Sequence, residues 1–356
     1  MPDAPPLESF TAGVETSVDV GGIERQLREL WQMAAASEQD PSRRAITRAC
    51  RLNLVAYAET EEARDHAADT ISLLTSTHPC RAIVLLARPE KDPSELSASI
   101  TAHCHLAGGG KQVCCEQISM RAAGDGVSHL AGAVLPLLES DLPTILWWQG
   151  NFLERPELFS RIGAVSDRVI FDSSGWTGMA DPLPPLSRLV RAENRRRFFD
   201  LSWTRLRLWR ELTADLFDDA ECRCELDRIG SVAIDHGCGP GGRLRGRLLA
   251  GWLAAQLEWT PARARDLIRL RCLDDPDATA VGIIRIEIKT ASATFTVQKN
   301  HGEFTASATV TMPRACGLPR TRAFGPSDDA SLLAEELDRT GSHTVYGRAL
   351  ELAAEL

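Results

Sequence analysis

Between Thr47 and Phe171, short apolar runs alternate with segments of helical spacing, and this alternation constrains the fold more than any other feature. The run 47–58 (TRACRLNLVAYA) predicts a strand, and the acidic stretch from Thr60 to Leu74 predicts a helix. His78–Arg81 makes a turn into an apolar strand at Ala82–Ala87. Residues 98–106 and 112–120 alternate as two strands joined at Gly108, Gly109 and Gly110. A helix over Gly126–Leu138, a strand over Thr144–Trp148, a helix near Pro156–Ile162 and a strand over Arg168–Phe171 complete the series. Such alternation argues an α/β layer structure with a mainly parallel sheet. Upstream, Ile23, Leu27, Leu30, Trp31 and Ala34 have helical spacing. The Pro-rich, acidic start MPDAPPLESF reads as a disordered leader over residues 1–20.

The stretch DSSGWTGMADPLPP, dense in Gly, Pro and Ser, marks a change of domain. It sets an N-terminal α/β domain at 21–176, a linker at 177–185 and a smaller α+β C-terminal domain at 186–356. Two helical segments (186–199 and 203–217) lead that second domain, followed by a strand at Ile229–Asp235 and a helix from Gly242 to Trp259. Three alternating strands then occupy roughly 280–289, 292–299 and 303–312, with helices after Asp328. A net charge of −9 argues against nucleic-acid or anionic-membrane binding. No apolar run reaches the roughly 18 residues of a membrane span, and no secretory signal is present. A cytoplasmic protein with its ten cysteines as reduced thiols is expected.

Few segments suggest bond-making chemistry. VAIDHGCGPGGRL (232–244) has the strand, glycine turn and helix of a cofactor loop, with Gly237, Gly239, Gly241 and Gly242 letting backbone approach a ligand. A methyltransferase-like site using S-adenosylmethionine at Gly237–Gly242 is therefore the alternative reading. Against it, further strand–helix units normally follow such a loop, and here one helix and three consecutive strands do. Cys222, Cys224, His236 and Cys238 have donor types that suit zinc, but a Cys-x-Cys pair on a strand alternates faces. No HExxH, nucleophile elbow or P-loop occurs. Asp141 and Asp172 each end a sheet strand, where α/β proteins place ligands. No catalytic residue, cofactor or metal is assigned.

Contact chemistry is more evident. DLSWTRLRLWRELTADLFD (200–218) puts Trp203, Trp209, Leu206, Leu212 and Leu216 on one helical stripe, with Arg205, Arg207 and Arg210 among them. Trp and Arg are enriched at binding hot spots. Trp148 ends its strand beside Trp147, and the two must face opposite ways. Arg195, Arg196 and Arg197 continue a basic run from Arg188 and Arg191 that offers a docking patch. The candidate partner-binding set is therefore Trp203, Arg205, Arg207, Trp209, Arg210, Trp148, Arg195, Arg196 and Arg197.

The blocks RLNLVAYA, THPCRAIVL, PLLESDLPTILWWQG, DRVIFDSSGW, DLSWTRLRLWRELTADLFD and LLAGWLAAQLEW occur in that order between Arg48 and Val310. In order and spacing they resemble the glucose-6-phosphate dehydrogenase assembly protein family, OpcA. Leu208 departs from the pattern, where a proline is expected before the second tryptophan. The resemblance implies a non-catalytic partner that binds glucose-6-phosphate dehydrogenase and promotes its active oligomer in the oxidative pentose phosphate pathway. It carries over no redox-active cysteine.

Overall fold

In the computed structural model the described residues are 8–17, 20–36, 46–107, 111–176, 178–239, 241–274, 282–312, 315–316, 319–341 and 344–356. They fall into two compact units. Met1–Phe171, Arg195–Arg197 and Leu333–Thr340 make the first, and Asp172–Asn194, Phe198–Leu332 and Gly341–Leu356 the second. The stretch expected to link two domains, 177–185, lies within the second unit.

The first unit contains β1 (Glu8–Ser17), α1 (Val20–Ala36), β2 (Ile46–Arg48), β3 (Leu52–Ala58), α2 (Glu61–Leu74), β4 (Cys80–Arg88), β5 (Glu95–Ala107) and β6 (Lys111–Ala123). It continues with α3 (Leu130–Val134), β7 (Thr144–Trp148), α4 (Pro156–Gly163) and β8 (Arg168–Phe171). Its strands run in the order β1-β5-β6-β4-β3-β7-β8, with β2 beside β6. The pairs β3–β4, β3–β7, β4–β6, β7–β8 and β2–β6 are parallel, while β5 pairs antiparallel with β1 and β6. The sheet is thus largely parallel, as the alternation predicts. β3 is buried along its whole length, the pattern of a strand covered on both faces. Thr60 caps α2 by accepting from the Ala63 N–H, and Glu61 and Glu62 complement the positive end of the helix dipole.

Two expectations change here. Residues 8–17, assigned to a disordered leader, form β1 because β5 offers them a free edge with backbone groups to pair. The helix expected over 126–138 shortens to α3, flanked by 3-10 turns at Gly124–His129 and Leu135–Leu137. The second turn carries Pro136, which has no N–H to continue an α-helix. The glycine turn at Gly108, Gly109 and Gly110 lies outside the described residues.

The second unit starts with α5 (Leu183–Ala192), after which β9 (Arg197–Asp200) begins on Arg197 of the first unit. Then follow α6 (Leu201–Arg205), α7 (Arg207–Asp215), α8 (Ala220–Arg223), β10 (Ser231–Gly237), α9 (Gly242–Gln256), α10 (Pro261–Leu267) and β11 (Ile268–Leu273). β12 (Ile283–Lys289), β13 (Thr294–Lys299), β14 (Thr305–Met312), β15 (Ala315–Cys316), β16 (Arg320–Ala323), α11 (Asp329–Asp338) and α12 (Thr344–Ala353) complete the chain. The sheet runs β11-β10-β12-β13-β14-β15, with β16 also on β14, and only the β10–β11 pair is parallel. Helices therefore accompany a mainly antiparallel sheet, the expected α+β grammar. α9 packs on β10, β11 and β12, and α12 packs on α9. Gly251 makes that crossing close, since a Cβ there would meet the Ala349 carbonyl oxygen at 2.2 Å.

Candidate functional site

The stripe expected over 203–217 is two helices rather than one. Leu206 leaves the helical region (φ −84°, ψ 0°), and α7 restarts with Arg210 N–H donating to its carbonyl. The break redirects both tryptophans inward. Trp203 is 2% exposed and lies against Tyr346, and Trp209 is 0% exposed and lies against Phe324. Trp148, 1% exposed, stacks on Tyr57 at 3.6 Å in the first unit. All three were expected as contact residues. Burial makes them core instead, because packing their large apolar area stabilises the fold far more than a wet surface could.

The arginines have separate settings. Arg210 lies over the Trp203 ring at 3.5 Å, a cation–π contact. Arg207 stays exposed, 3.6 Å from Glu211. α5 ends at Ala192, so Arg195, Arg196 and Arg197 lie beyond it, where a helix to 199 was expected. Arg195 is exposed, Arg196 covers the Phe159 ring at 5.2 Å, and Arg197 donates from its backbone to Asp167. Arg188 and Arg191 remain exposed on α5.

Arg205 leads into a buried polar cluster of the second unit that the sequence only hinted at. Its guanidinium binds Asp172 by a short contact and Asp329 at 2.9 Å. Asp172 also accepts from the Ser174 hydroxyl and the Ser202 hydroxyl, both at 2.6 Å. Burial opposes ionisation of Asp172, but Arg205 and these hydroxyls outweigh it and hold the carboxyl below its usual range. Asp200, fully buried, caps α6 by accepting from the Ser202 N–H at 2.9 Å. It also accepts from the Ser173 N–H at 3.1 Å, the Ser173 hydroxyl at 2.6 Å and the Tyr346 hydroxyl at 3.1 Å. Burial, then the nearby Asp172 carboxylate, push Asp200 up to about 6.

The glycine loop does join a strand to a helix, from β10 to α9. Its sheet is not doubly wound, so the methyltransferase reading loses its structural frame. The Cys-x-Cys is helical at Cys222 rather than extended, and Cys238 is bonded to Cys272. Among the described residues no group of three or more His, Cys, Asp or Glu side chains is placed to hold a metal. The expectation of reduced thiols is corrected at two places. Cys104 and Cys114, opposite each other in the β5–β6 register, form a disulfide with Cα atoms 4.1 Å apart, and Cys238–Cys272 form another at 5.2 Å. Cys50, Cys80, Cys115, Cys222 and Cys224 are free.

In the first unit, the chain leaves β3 for β4 on one side, while β7 lies on the other. That is the switch point where open α/β sheets receive ligands, beyond the strands' carboxyl ends. Here it is occupied by side chains. The Tyr57 hydroxyl donates to Glu59 at 3.0 Å, Arg155 pairs with Glu59 at 3.3 Å, and Gln149 donates to the Ala63 carbonyl at 2.9 Å. The start of α2, which would otherwise favour a phosphate, is capped by Thr60 and bordered by Glu59, Glu61 and Glu62. Carboxylates there repel a phosphate.

Two family models divide the chain near the end of α5. Residues 71–191 match the domain described as glucose-6-phosphate dehydrogenase subunit N-terminal domain, and residues 196–350 match the corresponding C-terminal domain. The chain belongs to the OpcA family. Proteins named OxPP cycle protein OpcA from Synechocystis sp. and Nostoc punctiforme are 32% and 33% identical over 196 residues. Those residues are 54% of this chain and 40% of each relative, so the match spans well under two thirds of the relatives' length. A solved 3-ketoreductase, KijD10 from Actinomadura kijaniata, gives a TM-score of 0.46 at 10% identity over 85% of this chain and 95% of its own, a likeness too distant to carry function. No described helix of this OpcA-family chain is long and apolar enough to cross a membrane.

Proposed function

We propose that the chain is a non-catalytic partner of glucose-6-phosphate dehydrogenase that binds the enzyme and favours its active oligomer. The observation that carries this reading is the pair of family matches, each described as a domain of a glucose-6-phosphate dehydrogenase subunit and together running from residue 71 to 350. The filled switch point of the first unit supports it, because the place where such a sheet would seat a dinucleotide holds the protein's own ion pair. Activation by binding requires higher affinity for the active oligomer than for the inactive form. A 10-fold preference corresponds to about 1.4 kcal/mol.

Contact falls to the exposed arginines, Arg188, Arg191, Arg195 and Arg207, with Trp203 and Trp209 supporting the α6–α7 surface from behind. Guanidinium-rich contacts make association fall as salt is raised. The test is co-purification with the cognate dehydrogenase, followed by kinetics and oligomer size with and without this chain. A stable complex with raised turnover or a shifted oligomer is expected. A dehydrogenase whose kinetics and size are unchanged by saturating amounts of this chain would remove the proposal.

A further inference from the structure

Arg245, on the second turn of α9, is only 7% exposed, yet it uses little of its hydrogen-bonding capacity. One Nη2 N–H reaches the Ser174 hydroxyl at 2.9 Å. Its Nε and Nη1 are buried without a partner. A buried guanidinium with unmet donors costs free energy comparable to lost hydrogen bonds, and native proteins rarely leave such groups unsatisfied.

Its neighbourhood gives these unmet donors a context. The guanidinium lies under the turn that joins β10 to α9. On one side Nη1 lies against Gly282, where an added Cβ would meet it at 2.8 Å, and the Gly282 carbonyl accepts from the Gly237 N–H at which the turn begins. On the other side Nη2 holds Ser174, which packs against Gly241 at the turn's end, where an added Cβ would meet the Ser174 Cβ at 2.5 Å. Gly241 has φ +80°, a left-handed conformation that glycine adopts without strain. The 15-residue helix α9 starts there with no side chain capping its N–H groups. A helix start without a side-chain cap, its Gly242 N–H donated to the Gly239 carbonyl at 3.2 Å, and a buried, under-bonded arginine thus converge on one turn.

The geometry points to a binding site for a small oxyanion of the phosphate type at this turn, held by Arg245 and the backbone N–H groups at the start of α9. Guanidinium groups and free helix N-termini are both strong phosphate donors. The Asp172 and Asp200 carboxylates and the Arg205 guanidinium all act on Arg245. Burial lowers the pKa of Arg245, Asp172 and Asp200 oppose that, and Arg205 adds to it, with the net direction downward. This inference is independent of dehydrogenase binding.

Calorimetry of the full chain with inorganic phosphate, and separately with glycerol 3-phosphate, at fixed ionic strength tests it. Binding of inorganic phosphate is expected, with affinity reduced about tenfold or more in Arg245→Met, the loss of a charge-assisted hydrogen bond. If both ligands bind, the site accepts phosphate monoesters; if inorganic phosphate alone binds, it is confined to the free ion. A second measurement does not depend on the variant: amide shifts in the native protein should move at Gly241, Gly242 and Arg243. No binding by either ligand, undiminished binding by Arg245→Met, or shifts centred on Arg188 and Arg191 instead of the turn would overturn the assignment.

Discussion

Arg81 in the first unit and Arg245 in the second are both buried, and the two are treated in opposite ways. In the first, the Arg81 Nε donates to Glu116 at 2.5 Å, Nη1 to the Leu137 carbonyl at 2.8 Å, and Nη2 lies 2.9 Å from Glu139. Glu116 in turn accepts from Arg48 at 2.7 Å and from the Trp31 indole at 2.9 Å. Each guanidinium nitrogen of that arginine faces an acceptor within the protein. In the second unit Arg245 has one hydroxyl and two idle nitrogens. A saturated buried ion pair holds strands and loops in register and has nothing left to offer a ligand. An unsaturated one is a poor structural element and keeps donors to spare. Burial alone therefore does not separate scaffold from site; the tally of donors and acceptors does.

The largest expected effect follows from Arg81→Met. It takes from Glu116 and Glu139 the buried one of their two arginines, leaving only the half-exposed Arg48 at 2.7 Å from each, and breaking a buried pair costs up to about 3–5 kcal/mol. Urea unfolding should show that loss; a change under about 1 kcal/mol would erase the contrast between the units. Arg245→Met should be far milder, within about 1 kcal/mol of the native protein in phosphate-free buffer, because the side chain gives up a single hydrogen bond, to the Ser174 hydroxyl. A loss as large as that of Arg81→Met would show that Arg245 is structural after all.

A subtler effect concerns pH. Asp200 is raised from 3.8 to about 6 in the folded state, so the native protein holds its proton where the unfolded chain has released it. Stability from this group is therefore present at low pH and declines as pH rises from about 4 to about 6, by on the order of 3 kcal/mol. Asp200→Asn removes that slope, so the native protein should lose stability relative to the variant across this window. Parallel curves of stability against pH would mean that Asp200 titrates as it does in the unfolded chain.

Much of the first unit was legible in the sequence because its strands are continuous apolar runs broken by acidic, capped helices, and these are local signals. The cluster around Asp200 was not. Asp172 stood out as the end of a strand, and Asp200 opened the DLSW segment, but Tyr346 lies 146 residues from Asp200 along the chain. Nothing periodic marks such a pairing. Arg245 was equally hidden, since in sequence it is one more arginine on the polar positions of GRLRGRLLAGW. The one available hint was the glycine turn just before it, which its sequence context assigns to a strand-to-helix connection rather than to a ligand.

The sequence by itself determined the α/β character of the first unit, the α+β grammar of the second and the OpcA family resemblance, because secondary structure follows local periodicity and the family blocks are contiguous. Tertiary structure alone decided the fate of Trp148, Trp203 and Trp209. A single residue leaving the helical region at Leu206 rotates one stretch of the stripe against the next, and partners remote in sequence, Tyr346 and Phe324, then cover the rings. Whether an aromatic meets solvent or core depends on what packs over it, and a lone sequence does not record that.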